Sequence, residues 1–532
     1  MKSFPALVEF NDGRHSMFPQ NLPRSNYTVP KSSLFNDEEP TEGNEEPFMS
    51  YSIMFEQYNT LVEMVLAQKT SRLMLQDGAR QLNQYKIEGK IGKGRYASVF
   101  RATQVYGHNK SYFNKNKVVA MKCMMKKPLN SPFSMNQILK HRARWNQASD
   151  ALHSSQNGEI DKDDKVARRA STLSLSSTRV MDGDRLIIEM NLLRIRRECL
   201  IQSQLPPHPN INAVFEMLDS PKSDRVWMVQ EFCSLGELQW ERPSKVHIPE
   251  QWCEFMKSKS ITRYDFAFKL LRDISLGLAF LQEHGVIHRD IKPSNILLDG
   301  VRSVAKISDF GCAMVKPSSL PWWQQDREKE LWEKAFRDEL TKIVGTPAFI
   351  PPEMCDFNAD SSSPATAKPV SHRINNQLTS DTENGFKIDI WALGVTMYCV
   401  LENKLPFVGE NEFGTYHMVV YEDPYIDQAD LQSQNQDTRW LYHFVVKSLL
   451  CKELSKRPFA HLIITKLQHH DKERQSRIGK VKRMFFTWKR RLTKAPPAKN
   501  PKTTPSDLIV GTIFSNTSSF SQISSIPTID SK

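Results

Sequence analysis

Apolar positions recur along the chain with two different spacings. Between residues 85 and 235 they fall mostly in short runs typical of strands, such as 226–231, with one helical stretch among them. In the second half they form longer runs typical of helices, such as 266–281 and 388–401. The pattern predicts an α+β fold with two lobes, a small β-rich N-terminal lobe and a larger helical C-terminal lobe.

Stretches without sustained periodicity mark tails and inserts. The opening residues combine Pro, Asn and Ser with an acidic patch, a composition that buries too little apolar surface to fold by itself. A basic, Ser-rich stretch interrupts the first lobe. We predict a disordered N-terminal tail at 1–84 with a short helix in 51–75, a globular domain at 85–468, and a basic helix with a disordered C-terminal tail at 469–532. Within the domain we predict an N-lobe at 85–232 with an insert at 128–184, and a C-lobe at 233–468 with inserts at 317–340 and 358–385.

Composition narrows the class of protein. The 532 residues are 39% hydrophobic and 25% charged, as in ordinary globular proteins. The eight cysteines form no C-x-x-C pair, which disfavours a zinc site or a disulfide framework and suggests a reducing, cytoplasmic location. No run is long and apolar enough for a transmembrane segment. The net charge of +12 lies mainly in tails and an insert, and without a nucleic-acid motif it does not predict a nucleic-acid partner.

The richest motif is His-Arg-Asp-Ile-Lys-Pro-Ser-Asn at 288–295, followed by Asp-Phe-Gly at 309–311. Together the two strings resemble the catalytic core of protein kinases. Transfer of a phosphoryl group requires positioning and charge neutralisation more than covalent chemistry. We expect Asp290 to orient a substrate hydroxyl and Lys292 to contact the γ-phosphate of ATP, with Asn295 and Asp309 as oxygen ligands of Mg²⁺. A lysine two residues after the aspartate is typical of kinases that act on Ser and Thr.

A glycine-containing run after the first predicted strand indicates a phosphate-binding loop. Its glycines would let backbone N–H groups approach ATP closely, and a small residue, Ala97, stands where the usual loop has its third glycine. The predicted nucleotide contacts here are Ile91, Gly92, Lys93, Gly94, Arg95, Tyr96, Ala97, Ser98 and Val99.

The next strand ends in Lys122, which we expect to contact the α- and β-phosphates and to need a carboxylate partner. Glu189 and Glu198 are both candidates, and since they are nine residues apart on one helix, only one can face inward. The number of residues between Glu198 and the His-Pro-Asn string at 208–210 favours Glu198. Gln202 then falls at a position where an apolar residue is expected. We expect Glu198 to be the partner of Lys122, with Glu189 as the alternative.

A hinge between the lobes is predicted at 229–237. Backbone groups of Glu231 and Cys233 would hydrogen-bond to adenine, and Ala120 on the preceding strand would complete the nucleotide site.

The segment between Asp309 and Glu353 is unusually long, and its middle has helical spacing. We predict an extra helix there that packs on the large lobe, the alternative being that its aromatic residues bind a substrate protein. Glu353 is expected to pair with Arg457. The aromatic residues in question are Trp322, Trp323, Trp332 and Phe336.

Arg289 next to the catalytic aspartate would normally attract a phosphorylated residue of this segment. The position where many kinases carry that residue is Lys342, with Thr341 beside it. We expect that the protein either uses Thr341 or needs no phosphate in this segment. Thr346 is placed to contact Asp290 and Lys292.

Taken with the Gly-Thr-Pro-Ala-Phe string at 345–349 and the basic insert after Lys122, the sequence resembles the calcium/calmodulin-dependent protein kinase kinases, in particular their fungal members. The resemblance implies that the protein substrate is itself a kinase of the AMP-activated type, and that the phosphate goes to its activation-loop threonine. It also implies a role in cell morphogenesis, budding and septin organisation, with a location at the bud neck or cell cortex. A catalytically weak, kinase-fold scaffold at such a site is the alternative.

After the domain, apolar positions at helical spacing lie within a strongly basic stretch at 480–494. Such a helix could bind calmodulin, septin filaments or an anionic membrane, or fold back on the domain as an inhibitory segment. Simple docking on the large lobe is the equally weighted alternative. The apolar positions are Val481, Phe485, Trp488 and Leu492.

Overall fold

The computed structural model describes residues 71–72, 81–94, 97–105, 117–127, 183–220, 222–241, 262–319, 329–355, 378 and 381–493. The predicted helix at 51–75 and the inserts at 128–184 and 358–385 lie largely outside these residues. Of the residues in these ranges that are described, 71–72 form a strand, and the helix that follows the first insert begins at Gly183. The helix and the inserts themselves stay predictions.

A seven-stranded sheet forms the smaller lobe. Its strands are β1 Ser71–Arg72, β2 Gln81–Leu82, β3 Tyr85–Lys93, β4 Ala97–Gln104, β5 Val118–Met125, β6 Val214–Asp219 and β7 Arg225–Glu231. They lie in the order β1-β6-β7-β5-β4-β3-β2. All neighbouring strands run antiparallel except β1, which pairs parallel with β6.

Two apolar clusters form the core of this lobe. Val119 and Met121 of β5 pack in one cluster with Val229 of β7. Helix α1 (Gly183–Gln204) buries Ile195 and Cys199 in the other cluster. The helix is therefore fixed to the sheet by apolar contacts, which sets the position of the polar residues on its neighbouring turns.

The larger lobe is helical around one continuous core. At its centre, every residue of α5 (Phe386–Glu402) is buried, as expected for a helix that is apolar on all sides. Helix α2 (Arg263–Glu283) begins with a capping box between Thr262 and Asp265. The other helices are α3 Lys329–Leu340, α4 Pro352–Cys355, α6 Glu412–Tyr421, α7 Gln428–Ser433, α8 Gln436–Phe444 and α9 Ala460–Thr493.

Two small sheets fix the loops that follow the first lobe. Their strands are β8 Gly236–Glu237, β9 Val286–Ile287, β10 Ile296–Asp299, β11 Val304–Ile307 and β12 Met314–Val315. Strands β8, β10 and β11 form one sheet, and β9 and β12 form the other. The stretch 288–295 runs between β9 and β10, so both its ends are fixed by sheet hydrogen bonds.

The predicted α+β, two-lobed fold is thus confirmed. The chain divides into two compact units at 1–468 and 469–532, and the division lies inside α9 rather than in a linker. The backbone is helical through 480–493, but the side chains of the basic helix from Val481 onward lie outside the described part of the chain. None of the helices described is both long and apolar enough to cross a bilayer.

Candidate active site

The glycine-containing run forms the hairpin between β3 and β4. Gly92 pairs with Val99 across the hairpin, and the N–H of Gly94 donates to the carbonyl of Ala97 at 2.8 Å to close the turn. Described residues with predicted nucleotide contacts in this hairpin are Ile91, Gly92, Lys93, Gly94, Ala97, Ser98 and Val99. Arg95 and Tyr96, which are also predicted nucleotide contacts, lie outside the described residues.

Lys122 of β5 lies between two carboxylates. Its Nζ is 2.6 Å from Oε1 of Glu198 and 3.1 Å from Oδ1 of Asp309. The Lys122 side chain is 13% exposed and that of Glu198 is 7% exposed, whereas that of Asp309 is 45% exposed. Burial by itself would lower the pKa of Lys122, but Asp309 and Glu198 outweigh it and raise that pKa. Lys122 in turn holds the pKa of Asp309 well below its ordinary value, so these two groups are charged at neutral pH. Burial raises the pKa of Glu198, and Lys122 opposes that rise.

Glu198 reaches Lys122 because α1 packs its apolar residues on the sheet on the adjoining turns. Of the two candidate glutamates, Glu198 is the one bonded to the lysine. Close packing extends to Gly311, where a Cβ would lie 3.5 Å from Oε2 of Glu198 and 3.3 Å from Oδ1 of Asp309. Gln202, at the position where an apolar residue was expected, is buried and donates to the carbonyl of Asn212.

The loop between β9 and β10 holds a compact polar network. The Nζ of Lys292 lies 2.8 Å from Oδ2 of Asp290 and donates to Oγ1 of Thr346 at 2.8 Å. Oγ1 of Thr346 donates to Oδ1 of Asp290 at 3.0 Å. Gly345 precedes it with φ of 105°, and a Cβ there would meet the carbonyl of Arg289 at 2.6 Å, so only glycine lets the two segments come this close. The side chains of Asp290, Lys292 and Thr346 are therefore brought together at one point.

The side-chain oxygen atoms next to Asp290 are suitable ligands for a hard cation. Nδ2 of Asn295 donates to Oδ2 of Asp290 at 3.0 Å, which turns the amide oxygen of Asn295 to the opposite side. The hydroxyl of Ser308 bonds to the carbonyl of Asn295, and this joins Asn295 to the residue before Asp309. An amide oxygen and an ionised, partly exposed carboxylate are ligands that Mg²⁺ favours. These residues would hold the ion that neutralises ATP phosphates.

A buried aspartate of α5 supports this loop from behind. The two oxygens of Asp389 accept the N–H groups of His288 and Arg289, each at 2.8 Å. The His288 ring packs edge-on against Phe310, with centroids 4.9 Å apart. The first contact fixes the backbone at the start of the catalytic stretch, and the second joins His288 to the Asp-Phe-Gly string.

The predicted hinge joins β7 to β8. The N–H of Glu231 donates to Ala213, and the carbonyl of Cys233 accepts from Gly236. The carbonyl of Glu231 and the N–H of Cys233 are therefore the groups that could meet adenine, next to Ala120 on β5, which pairs with Gln230 of β7.

Sequence reasoning missed the ion pairs that hold the hinge. The side chain of Glu231 pairs with Arg302, and its Oε2 lies 3.1 Å from Nζ of Lys306. Lys306 is buried and also donates to the carbonyl of Pro209. A single lysine in a strand carries no signal of its partner, since the contact joins positions far apart in the chain.

The extra helix predicted in the long segment exists as α3. Trp332 and Phe336 are buried in the core of the large lobe. Their burial excludes the alternative that these two aromatic residues bind a substrate protein, whereas Trp322 and Trp323 lie outside the described residues. Arg289 meets the last turn of this helix, with its guanidinium 3.4 Å from Oε1 of Glu339.

The end of the segment is held by a buried ion pair. Arg457 donates to both oxygens of Glu353, at 2.7 and 2.9 Å, and both side chains are at most 1% exposed. The pair forms as the sequence predicted, and its two-pronged geometry fixes the segment to the base of the large lobe.

Comparisons with known proteins agree with this geometry. Residues 184–471 match the protein kinase domain family. The chain is 34% identical over 428 residues, 80% of its length, to serine/threonine-protein kinase ELM1 of Saccharomyces cerevisiae, and the match covers 55% of that protein. It is 31% identical to SNF1-activating kinase 1 of the same yeast over 58% of this chain and 25% of that protein. It is 32% identical to serine/threonine-protein kinase ssp1 of Schizosaccharomyces pombe over 50% of this chain and 32% of that protein. The chain thus spans about half or less of the length of these relatives.

Proposed function

This chain belongs to the protein kinase family, and we propose that it transfers the γ-phosphate of ATP, bound with Mg²⁺, to Ser and Thr hydroxyls of proteins. The observation that carries the proposal is the convergence of Asp290, Lys292 and Thr346 beside Asn295. Asp290 would accept the proton of the hydroxyl, and Lys292 would neutralise charge on the transferred group. Lys122, held by Glu198, would contact the α- and β-phosphates.

A transfer assay tests this activity directly. Purified full-length protein is mixed with γ-labelled ATP, Mg²⁺ and a mixed Ser/Thr peptide library, with Asp290→Asn as the matched inactive variant. We expect label on peptides from the wild type only, and loss of the label when the divalent ion is chelated. A folded wild type that labels no more than Asp290→Asn would favour the catalytically weak scaffold.

We infer that the substrate class is another protein kinase, phosphorylated on its activation-loop threonine. Similarity to a relative whose name is SNF1-activating kinase 1 supports this inference. The test substrate is the catalytic domain of an AMP-activated-type kinase that carries an inactivating lysine substitution. Label is expected on its activation-loop threonine, and a Thr→Ala version of the substrate is the control.

We also propose a role in cell morphogenesis and septin organisation at the bud neck or cell cortex. The family resemblance that the sequence motifs carry supports this proposal. The check is fluorescence microscopy of the tagged protein in budding cells, beside a labelled septin. Uniform cytoplasmic fluorescence would contradict a bud-neck location.

The basic stretch at 480–494 is the segment we propose for calmodulin or septin binding. A pull-down in calcium and in chelator, with Trp488→Ala as control, distinguishes the two partners. Recovery of calmodulin only in calcium supports calmodulin binding. Equal or absent recovery of calmodulin in both would reject it, and recovery of septins would identify the alternative partner.

A further inference from the structure

Arg289, the arginine that precedes the catalytic aspartate, is a buried cation with an acidic partner built into the chain. Its side chain is 1% exposed, and its guanidinium donates to the carbonyl of Cys312 at 2.8 Å and to the carbonyl of Glu339 at 3.2 Å. Its NH2 group lies 3.4 Å from the Oε1 of Glu339. A buried guanidinium requires an anion nearby, and Glu339 supplies it.

A second cation pairs with the same carboxylate. Nζ of Lys342 lies 2.6 Å from Oε2 of Glu339. Burial would raise the pKa of Glu339, but Arg289, Lys342 and, more weakly, Arg197 of α1 lower it below its ordinary value. Arg289 lies in the catalytic loop, and Lys342 lies in the segment after α3. One carboxylate thus joins the catalytic loop to that segment.

The helix α3 explains how Glu339 comes to this place. Trp332, Ala335, Phe336 and Leu340 are buried, and Glu339 follows Ala335 and Phe336 by four and three residues. Residues at these spacings share one face of a helix. Packing the apolar face on the lobe therefore turns Glu339 inward as well, where its side chain is 12% exposed.

Thr341, the residue that could have carried a phosphate, has a different role in this arrangement. Its hydroxyl donates to the carbonyl of Asp338 at 3.0 Å and its N–H donates to the carbonyl of Arg337, so it closes the last turn of α3. The basic site that a loop phosphate would occupy is already neutralised by Glu339.

We propose that Glu339 is a positioning residue that takes the place of an activation-loop phosphate, so that the site is aligned without phosphorylation. The inference rests on the proposed phosphoryl transfer. The carboxylate of Glu339 holds the side chain of Arg289. The backbone of Arg289 is fixed by Asp389, and Asp290 is the next residue in the chain. In many kinases a phosphate supplies this anion after modification, and here the chain carries it permanently.

The first test is Glu339→Gln in the full chain, assayed with the Ser/Thr peptide library. We expect kcat to fall about tenfold or more, with the dissociation constant of Mg-ATP changed by less than about threefold, since Lys122 and its two carboxylate partners are left intact. Glu339→Asp keeps the charge and should recover most of the lost rate. The matched control is Glu333→Gln on the exposed face of the same helix, where Glu333 pairs with Arg337 at 3.4 Å, and it should behave as the wild type.

The second test needs no variant at Glu339. Wild-type protein treated with phosphatase until mass spectrometry detects no phosphate should keep its full rate, as should Thr341→Ala. A loss of more than about tenfold on dephosphorylation would overturn the inference, even if Glu339→Gln fails to fold.

The other outcomes are equally decisive. A folded Glu339→Gln protein as active as Glu333→Gln, or a folded Glu339→Asp protein no better than Glu339→Gln, would also overturn the inference. If the wild type itself transfers no phosphate, the proposed function fails and the inference falls with it. If the wild type and the Glu339→Gln variant are equally active, the inference is rejected and the proposed function stands.

Discussion

At the scale of single residues, the site depends on charges that burial would otherwise remove. Lys122 and Glu198 are both largely buried, and each would favour its neutral form if it were alone. Glu198 at 2.6 Å and Asp309 at 3.1 Å keep Lys122 charged. For Glu198, burial and the charge of Asp309 raise the pKa, and Lys122 opposes that rise. Removing Lys122 would leave two carboxylates without a cation between them, and removing either carboxylate would leave the lysine with one acidic partner instead of two.

Replacing Lys122 by Met should lower kcat/KM for phosphoryl transfer by about a hundredfold or more, because the phosphates of ATP lose their fixed cation. The change is measured by initial rates over a range of ATP concentrations. A rate within about threefold of the wild type would show that the lysine does not serve ATP.

Glu198→Gln should lower kcat by about tenfold or more, because the neutral amide no longer holds Lys122 in place through a charged hydrogen bond. The matched variant is Glu189→Gln on the same helix, for which we expect a rate close to that of the wild type. If Glu189→Gln is the more harmful of the two, the observed ion pair is not the one that supports turnover.

The acid sensitivity of the fold should depend on His208. Burial, with the charges of Lys306 and His284, lowers its pKa to about 4, while its ring stacks on Phe280 at 4.5 Å. Because the folded-state pKa lies below the ordinary value, the unfolded chain binds more protons as pH falls from about 6.5 towards 4, and the folded state loses stability across that window.

Between about pH 7.5 and pH 5 we expect His208 to account for about 1 kcal/mol of the lost free energy of unfolding, after allowance for its partial exposure. Denaturant unfolding of wild type and His208→Gln at the two pH values measures it. His443→Gln, at an exposed position, is the control and should leave the loss unchanged. Equal losses in the wild type and His208→Gln would contradict the assignment.

At the scale of elements, α3 turns a long connecting segment into a structured part of the lobe. Its buried aromatic residues fix it to the core, and its last turn delivers Glu339 to Arg289. The following residues reach Gly345 and Thr346, which contact the catalytic loop. The helix therefore determines where the segment can lie.

Phe336→Ala should lower the free energy of unfolding by about 3 kcal/mol and reduce the transfer rate as well, because the cavity loosens α3 from the lobe. Denaturant titration and the peptide assay give the two effects. Glu333→Ala on the exposed face serves as control. A destabilised Phe336→Ala protein with an unchanged rate at low temperature would show that α3 supports the fold but not the site.

At the scale of the whole domain, the end of the activation segment is tied to the base of the large lobe by Glu353 and Arg457. Arg457 also donates to the carbonyls of Lys387 and Cys451, so that one buried guanidinium joins α5, the activation segment and the stretch before α9. Removing one partner of such a pair leaves a buried charge without compensation.

Glu353→Gln should therefore lower the free energy of unfolding by about 3 kcal/mol or more. The control is Glu453→Gln, which removes one partner of an exposed pair with Lys456 at 2.7 Å and should leave stability unchanged. Thermal or denaturant unfolding of both variants gives the comparison. Similar stability of the two would show that the buried pair contributes no more than an exposed one.

The sequence by itself determined the chemistry and the class of fold. Contiguous motifs contained Asp290, Lys292, Asn295 and Asp309, because short segments between paired strands carry several functional groups at fixed spacing. The two periodicities of apolar residues predicted a sheet-rich lobe and a helical lobe, because each element must bury one face.

Only the tertiary structure decided which distant residues meet. The partner of Lys122, the anion beside Arg289 and the cations beside Glu231 are all far from them in the chain. Helical spacing placed Glu189 and Glu198 on opposite faces, but packing of α1 on the sheet selected the face that turns inward. Glu339 gave no signal of its own, since an acidic residue in a charged helix is most often solvated. Its role follows from the burial of its neighbours, which is a property of the folded lobe.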